Sequence, residues 1–290
     1  MNIAVILFIY FFELKKSSGE EISCSGFSTL VFGYNSLSRE STSETANFDS
    51  LIDFHDNLIY SAEILNSINE ALTVFTNMNI TIKNSKNLII RYFSVPELLS
   101  YCGFGDISHN LPSSISSSGP FLSLLKYCLA YRYGHINLDL GVHLLKLSME
   151  KYRNNFVSAI TWHDEGASIE FTDKFFCLPN RILAKLLNRM HQRLEISSLR
   201  QIPKIEFSSK LLIKTVLGSL DEIFLLSTNK PNTATLDALI TSCQVHNHHF
   251  IIESEFMREK RLNASLNYID FNNQVRTQLG LHIIETVSSQ

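Results

Sequence analysis

The chain of 290 residues sets 25 Lys and Arg against 28 Asp and Glu, a formal net charge of -3. That balance excludes a basic nucleic-acid arm and a polybasic membrane patch, so no nucleic-acid partner is expected. With 45% hydrophobic residues there is enough apolar surface for one large domain or two small ones, which excludes a disordered chain.

The N-terminus opens on an apolar run, Ile3 to Phe12, too short for a transmembrane helix of about 20 residues. Lys15 and Lys16 follow, then Ser17, Ser18 and Gly19, small residues that suit signal-peptidase cleavage before Glu20. No Lys or Arg precedes the run, so an uncleaved anchor and a buried first strand remain competing readings. The expected organisation is therefore 1–19 as signal peptide or short N-terminal anchor, then one domain over 20–290. A lumenal chain tolerates disulfides and glycans. Cys24, Cys102, Cys128, Cys177 and Cys243 have no CxxC spacing, which argues against zinc, and their odd number leaves at least one unpaired within the chain. Sequons begin at Asn79 and Asn263, the candidate glycosylation sites.

Further along, Ser28 to Asn35 reads as a first strand ending in turn residues. Leu58 to Asn69 has helical apolar spacing and precedes a strand over Ala71 to Asn77. Asn87 to Val95 is β-branched and aromatic, and Pro96 opens a short helix. A serine-rich loop, Ser113 to Gly119, leads into a buried-looking helix, Phe121 to Tyr133, stopped by Gly134. The stretch HINLDLGVHLL predicts the next strand, Phe156 to His163 another, and Phe175 to Leu178 a third. An amphipathic helix follows, with Ile182, Leu183, Leu186, Leu187, Met190 and Leu194 on one face. Arg181, Lys185, Arg189 and Arg193 form a basic stripe on the other, read as a solvated face. Strands alternating with helices predict an α/β fold with a mainly parallel central sheet flanked by helices.

The chemistry-bearing candidate is Tyr131 to Val142, with Asp139 at its centre. Two acids spaced Asp-x-Asp on an extended chain face the same way, so both reach one divalent cation or one ribose–diphosphate. Such a cation offsets the charge that builds on a departing nucleoside diphosphate. Here the second place is Gly141. The frame Lys126 to Lys146, KYCLAYRYGHINLDLGVHLLK, resembles a segment of the α1,4-glycosyltransferase family that includes the globotriaosylceramide synthases. There a Ser-Asp-x-x-Arg helix runs into a Lys-Tyr/Phe-Gly-Gly turn and then Ile/Val-Tyr-Leu-Asp-Thr-Asp. This chain keeps Tyr133, Gly134, Ile136, Leu138 and Asp139 in register, with Lys126 for the helix arginine. The flanks Leu58 to Ile68, Asn87 to Leu99 and Ser242 to Phe256 match more loosely.

The resemblance implies a GT-A-like nucleotide-sugar-binding fold and a hexosyltransferase of the Golgi or ER lumen, membrane-associated or secreted. It implies transfer of a hexose or N-acetylhexosamine from a UDP-sugar donor to a glycan or glycolipid acceptor. By the same match Asp139, Lys126, Tyr133 and Gly134 fall on the donor side, and Asp139 on a weakly held Mn2+ or Mg2+; no catalytic residue is named. The departures fall on site positions: Ser123 stands for the helix acid, Gly141 for the second Asp, His135 for the second glycine, Asn137 for a tyrosine. Thr172-Asp173 aligns with an asparagine–glycine pair of the acceptor region, and Asp270 to Asn273 with a closing segment whose histidine and tryptophan are absent. Those losses leave two further readings, a non-catalytic homologue that binds a glycan or a partner enzyme, and an unrelated secreted α/β protein. Asp164 and Glu165 are the nearest substitute acids by sequence, weighed against a solvated turn. His246, His248 and His249 lack a third ligand at a recognisable spacing, and no nucleophile-elbow motif is present.

Overall fold

The computed structural model describes residues 24–33, 48–80, 82, 87–105, 119–145, 156–163, 168–200, 223–229, 250–252, 261, 263 and 265–283. The segment 1–19, Glu20, Cys243, Asp164, Glu165, His246, His248 and His249 lie outside them. The described elements are β1 (Phe27–Val31), α1 (Phe48–Asn66), β2 (Leu72–Thr76), β3 (Leu88–Tyr92), α2 (Val95–Tyr101), α3 (Gly119–Tyr133) and β4 (Ile136–Leu138). They continue with β5 (Val142–Leu144), β6 (Phe156–His163), β7 (Ser168–Cys177), α4 (Asn180–Arg200), β8 (Ile223–Asn229), β9 (Phe250–Ile252) and α5 (Tyr268–Gln278).

Seven strands form one sheet in the order β3-β2-β1-β4-β7-β6-β8, and β5 pairs with β9 in a second. Every pairing in the large sheet is parallel except the two that β7 makes, with β4 and with β6. The fold class read from the sequence, a mainly parallel α/β sheet flanked by helices, is the observed one. From β1 the chain steps outward to β2 and β3, then returns to place β4 on the other side of β1. The strand order reverses between β1 and β4, and open α/β sheets bind ligands at such a reversal, beyond the strand carboxyl ends.

Alternation along the strands sorts the two faces. Phe27 and Val31 of β1, with Ile136 and Leu138 of β4, pack against Tyr60 and Leu65 of α1, Phe250 of β9 and Tyr268 of α5. Leu30, Phe75 and Phe176 face the opposite way, onto Leu98 of α2, Leu125 of α3 and Leu186 of α4. Helix α3 is apolar on nearly every side, with Phe121, Leu124, Leu125, Cys128 and Leu129 all buried, as suits a helix wedged between neighbours. It stops where predicted: Gly134 takes φ +69°, a left-handed turn that glycine adopts without a Cβ penalty, and its N–H donates to Ala130 O at 2.9 Å. In α4 the predicted apolar residues Ile182 to Met190 are buried and Arg181, Lys185 and Arg189 are exposed; the side chains of Arg193 and Leu194 lie outside the described set. A disulfide joins Cys24, just ahead of β1, to Cys177 at the end of β7, 153 residues apart, while Cys102 and Cys128 are buried thiols.

Three elements differ from expectation, the first being β7, which begins at Ser168, seven residues before Phe175. Helix α1 begins at Phe48, ten residues before Leu58. The run HINLDLGVHLL, read as one strand, is two strands in two sheets. The break is at Asp139, whose Oδ1 accepts the Gly141 N–H at 3.1 Å while its carbonyl accepts the Val142 N–H at 3.0 Å. An aspartate that bonds its own backbone two residues on makes a turn of this kind, and the local closure outcompetes strand continuation.

Candidate functional site

Asp139 follows directly on β4, the fourth of seven strands, at its carboxyl end and beside the reversal of strand order. Because Ile136 and Leu138 face the α1 side, the strand's alternation turns Asp139 toward α3. Ser123 and Lys126 sit three residues apart on that helix, a spacing that puts both on one face. The Lys126 ammonium pairs with Asp139 Oδ2 and lies 3.8 Å from Asp173 Oδ2. Ser123 Oγ donates to the same Asp173 oxygen. The lysine side chain is 11% exposed, and the two carboxylates 23% and 26%, so the acids open to solvent above a nearly covered cation.

Asp173 arrives by strand pairing. Antiparallel β7 sets Phe175 against Leu138 and Phe176 against Asn137, and the Asp139 N–H donates to Lys174 O at 2.8 Å. On the other edge of β7 the register with β6 jumps from Ser158↔Phe176 to Ile160↔Phe171. One β6 residue, Ala159, therefore opposes four of β7, Thr172 to Phe175. A bulge of this kind bends its strand and re-aims side chains, and here it carries Asp173. Two bonds hold it: Thr172 Oγ1 accepts the Lys174 N–H at 3.2 Å, and Asn137 Nδ2 donates to Asp173 O at 3.1 Å.

Burial alone disfavours both charges, but the opposed groups win. The Asp139 and Asp173 carboxylates hold Lys126 protonated well above the usual lysine range. The ammonium, with Lys174 and the Gly141 N–H, holds Asp139 below the usual carboxylate range. Burial, reinforced by the charge of Asp173, pushes Tyr127 up. One ammonium thus faces two carboxylates.

Of the predicted donor-side residues, Asp139 and Lys126 meet. Tyr133 lies two helical turns from Lys126, about 10.5 Å along the axis. It stacks on Phe75 with ring centroids 4.6 Å apart, and the guanidinium groups of Arg132 and Arg91 stand 5.4 and 5.9 Å from its ring. Gly134 caps α3 at the far end of β4, five residues and roughly 16 Å of extended chain from Asp139. Asn79 and Asn263 are both exposed. Sequence reasoning placed Asp173 in the acceptor region and missed it as a partner of Asp139; the only signal was an acid just ahead of a predicted strand.

In this arrangement the residues do not fit a divalent cation. Asp139 Oδ2 is taken by the ammonium, Oδ1 by a backbone N–H, Gly141 offers no side-chain oxygen, and Asp173 Oδ2 is shared by Ser123 and Lys126. Among the described residues no group of three or more His, Cys, Asp or Glu side chains is placed to hold a metal.

No family model matches the chain, and no curated protein matches it. Solved structures similar to it include a transferase carrying two cysteine-to-serine substitutions, 12% identical, with a TM-score of 0.40 over 81% of this chain and 95% of that one. The PaToxG glycosyltransferase is similar at 11% identity, with a TM-score of 0.42 over 97% of this chain and 88% of that one.

Proposed function

We propose that this chain is a glycosyltransferase-like protein of the secretory pathway that binds a UDP-sugar in the cleft above Asp139. The donor's hexose or N-acetylhexosamine would pass to a glycan or glycolipid acceptor in the Golgi or ER lumen. In such a transfer the bond from the sugar C1 to the diphosphate oxygen breaks, and its electron pair leaves with UDP. The acceptor oxygen bonds to C1 and gives up its proton. The observation that carries the reading is the position of Asp139, at the carboxyl end of the central strand where the strand order reverses, with Lys126 and Asp173 gathered around it. The resemblance of Lys126 to Lys146 supports the same cleft. The Cys24–Cys177 disulfide supports an oxidising compartment, with 1–19 as a signal peptide or short lumenal anchor. Calorimetric titration of the full chain with UDP and with ATP tests it: UDP should bind and ATP should not, and absence of UDP binding rejects the donor assignment.

A second reading, a non-catalytic homologue that binds a glycan or a partner enzyme, is favoured by the engagement of both carboxylates with Lys126. Gly141→Asp separates the two. A Cβ at Gly141 meets only Asp139 Oδ1, at 3.9 Å, an ordinary contact, so a side chain can start there. Hydrolysis of a UDP-sugar by the unaltered protein supports the enzyme. A gain only in Gly141→Asp shows a site disabled by that loss, and UDP binding with no hydrolysis in either protein supports the binding module.

A further inference from the structure

We propose that the Lys126 ammonium is the resident cation of this cleft, standing where nucleotide-sugar chemistry would otherwise place a divalent metal, so that the site works without one. The inference rests on the donor reading above, and the geometry comes from three elements. Helix α3 delivers the ammonium between two acids, β4 delivers Asp139, and the bulge of β7 delivers Asp173. A hard divalent ion needs several uncommitted oxygens, carboxylates above all. Here Asp139 Oδ2 accepts from Lys126, the same ammonium lies 3.8 Å from Asp173 Oδ2 as an ion pair, and Ser123 donates to that oxygen.

Charge makes the same case. Lys126 lies between Asp139 and Asp173, so an added divalent ion would meet two carboxylates already paired with an ammonium at their centre. The ammonium is nearly covered and gripped on two sides, and desolvated ion pairs are screened little by salt. It does not leave easily. Asp173, from the neighbouring strand, thus stands beside Asp139 where Gly141 supplies no second acid, and the cation comes from α3 rather than from solution.

The test reads Mn2+ directly, by the loss of the free-ion paramagnetic signal on mixing with the full chain, alongside UDP calorimetry in chelator and in excess Mn2+. The unaltered protein should leave the Mn2+ signal intact, and its UDP affinity should agree in the two conditions within about threefold, well under the tenfold step that marks one lost contact. Lys126→Gln, which frees both carboxylates, should take up Mn2+, and adding Asp139→Asn should abolish that uptake. UDP binding only with Mn2+ present would overturn the substitution while leaving the donor reading intact. Mn2+ uptake by Lys126→Gln with no UDP binding in any condition would keep the substitution and reject the donor reading. Should Lys126→Gln fail to fold, Lys126→Arg and the unaltered protein decide: Mn2+ held by either one and released by Asp139→Asn overturns the proposal, and its absence from both upholds it.

Discussion

Two polar knots lie on either side of the turn at Asp139, and they are built on opposite principles. The first, Lys126 with Asp139, Asp173 and Ser123, is ionic and opens to solvent through its acids. The second lies under β5 and is sealed. His143 is fully buried, its Nδ1 2.7 Å from Asn272 Oδ1, its ring stacked on Tyr268 at 4.2 Å. Asn272 Nδ2 donates to Tyr268 O at 2.9 Å, and Arg276 donates to the carbonyls of Leu145 and His282. The sealed knot uses amide, imidazole and carbonyl groups plus one cation held by carbonyls. The His143–Asn272 and Arg276–Leu145 bonds tie α5 to the chain around β5, and the other two lie within α5 and just beyond it. Burying polar groups is tolerable where they are hydrogen-bonded, as His143 Nδ1, Asn272 and Arg276 are here. The open knot instead keeps full charges part exposed to solvent. Position relative to the turn thus separates a sealed structural knot from the one proposed to meet the donor.

The sharpest way to break this contrast is to remove the cation from the open knot. Lys126→Met leaves two facing carboxylates with no counter-charge, and because the acids are part exposed the loss should be about 2–3 kcal/mol, at the lower edge of the range for broken buried pairs. Denaturant unfolding measures it, and a loss below the scatter of surface mutants would mean that the pair contributes nothing. Next comes the sealed knot: Asn272→Leu keeps the volume but strands the His143 nitrogen, at a cost of about 1–3 kcal/mol. UDP affinity should not move, whereas Lys126→Met should change it. An Asn272→Leu variant with altered UDP affinity would show the knots to be coupled.

A smaller effect follows from titration. Asp139 has a depressed pKa in the fold, so its contribution is complete above the unfolded value of 3.8 and is lost as pH falls through the lower folded value. Lys126 has a raised pKa, so its contribution is complete below 10.5 and is lost as pH rises through the higher folded value. Thermal stability attributable to the pair should therefore be flat between these limits and fall at both ends. Asp139→Asn should flatten the acid limb, and an acid limb identical in both proteins would exclude Asp139 as its source. The smallest effect is expected at the basic stripe of α4. Lys185→Ala should change stability by less than about 0.5 kcal/mol and leave UDP binding alone, as for a solvated face.

Much of the first knot was legible before the fold, because its signals are local. Gly134 after an apolar helix, Pro96 at a first turn, and an acid at the end of a short β-branched strand all act within a few residues. Asp139 stood out by its place in a short predicted strand, whereas Lys126 was singled out only by the resemblance of the segment Lys126 to Lys146. Asp173 was missed, because its place depends on which strand β7 pairs with and on a bulge against β6, and neither is encoded in the neighbours of Asp173. The split of HINLDLGVHLL was hidden for a related reason: apolar content is the same for one long strand and two short ones, and only the Asp139–Gly141 bond decides. The sealed knot joins residues 143 and 272, a separation at which sequence patterning says nothing.

The Cys24–Cys177 link turns the chain between those residues into a covalent ring that contains every strand from β1 to β7. Its constraint on the unfolded chain amounts to about 5 kcal/mol for a loop of this size. A ring also changes what cleavage means. A protease that cuts once anywhere from 25 to 176 opens the ring but releases nothing, and the two pieces still migrate together until a reductant is added. A cut beyond 177 detaches covalently whatever lies C-terminal to it, up to the whole segment bearing α4, β8, β9 and α5. Fragment patterns with and without reductant therefore report directly which side of Cys177 was exposed.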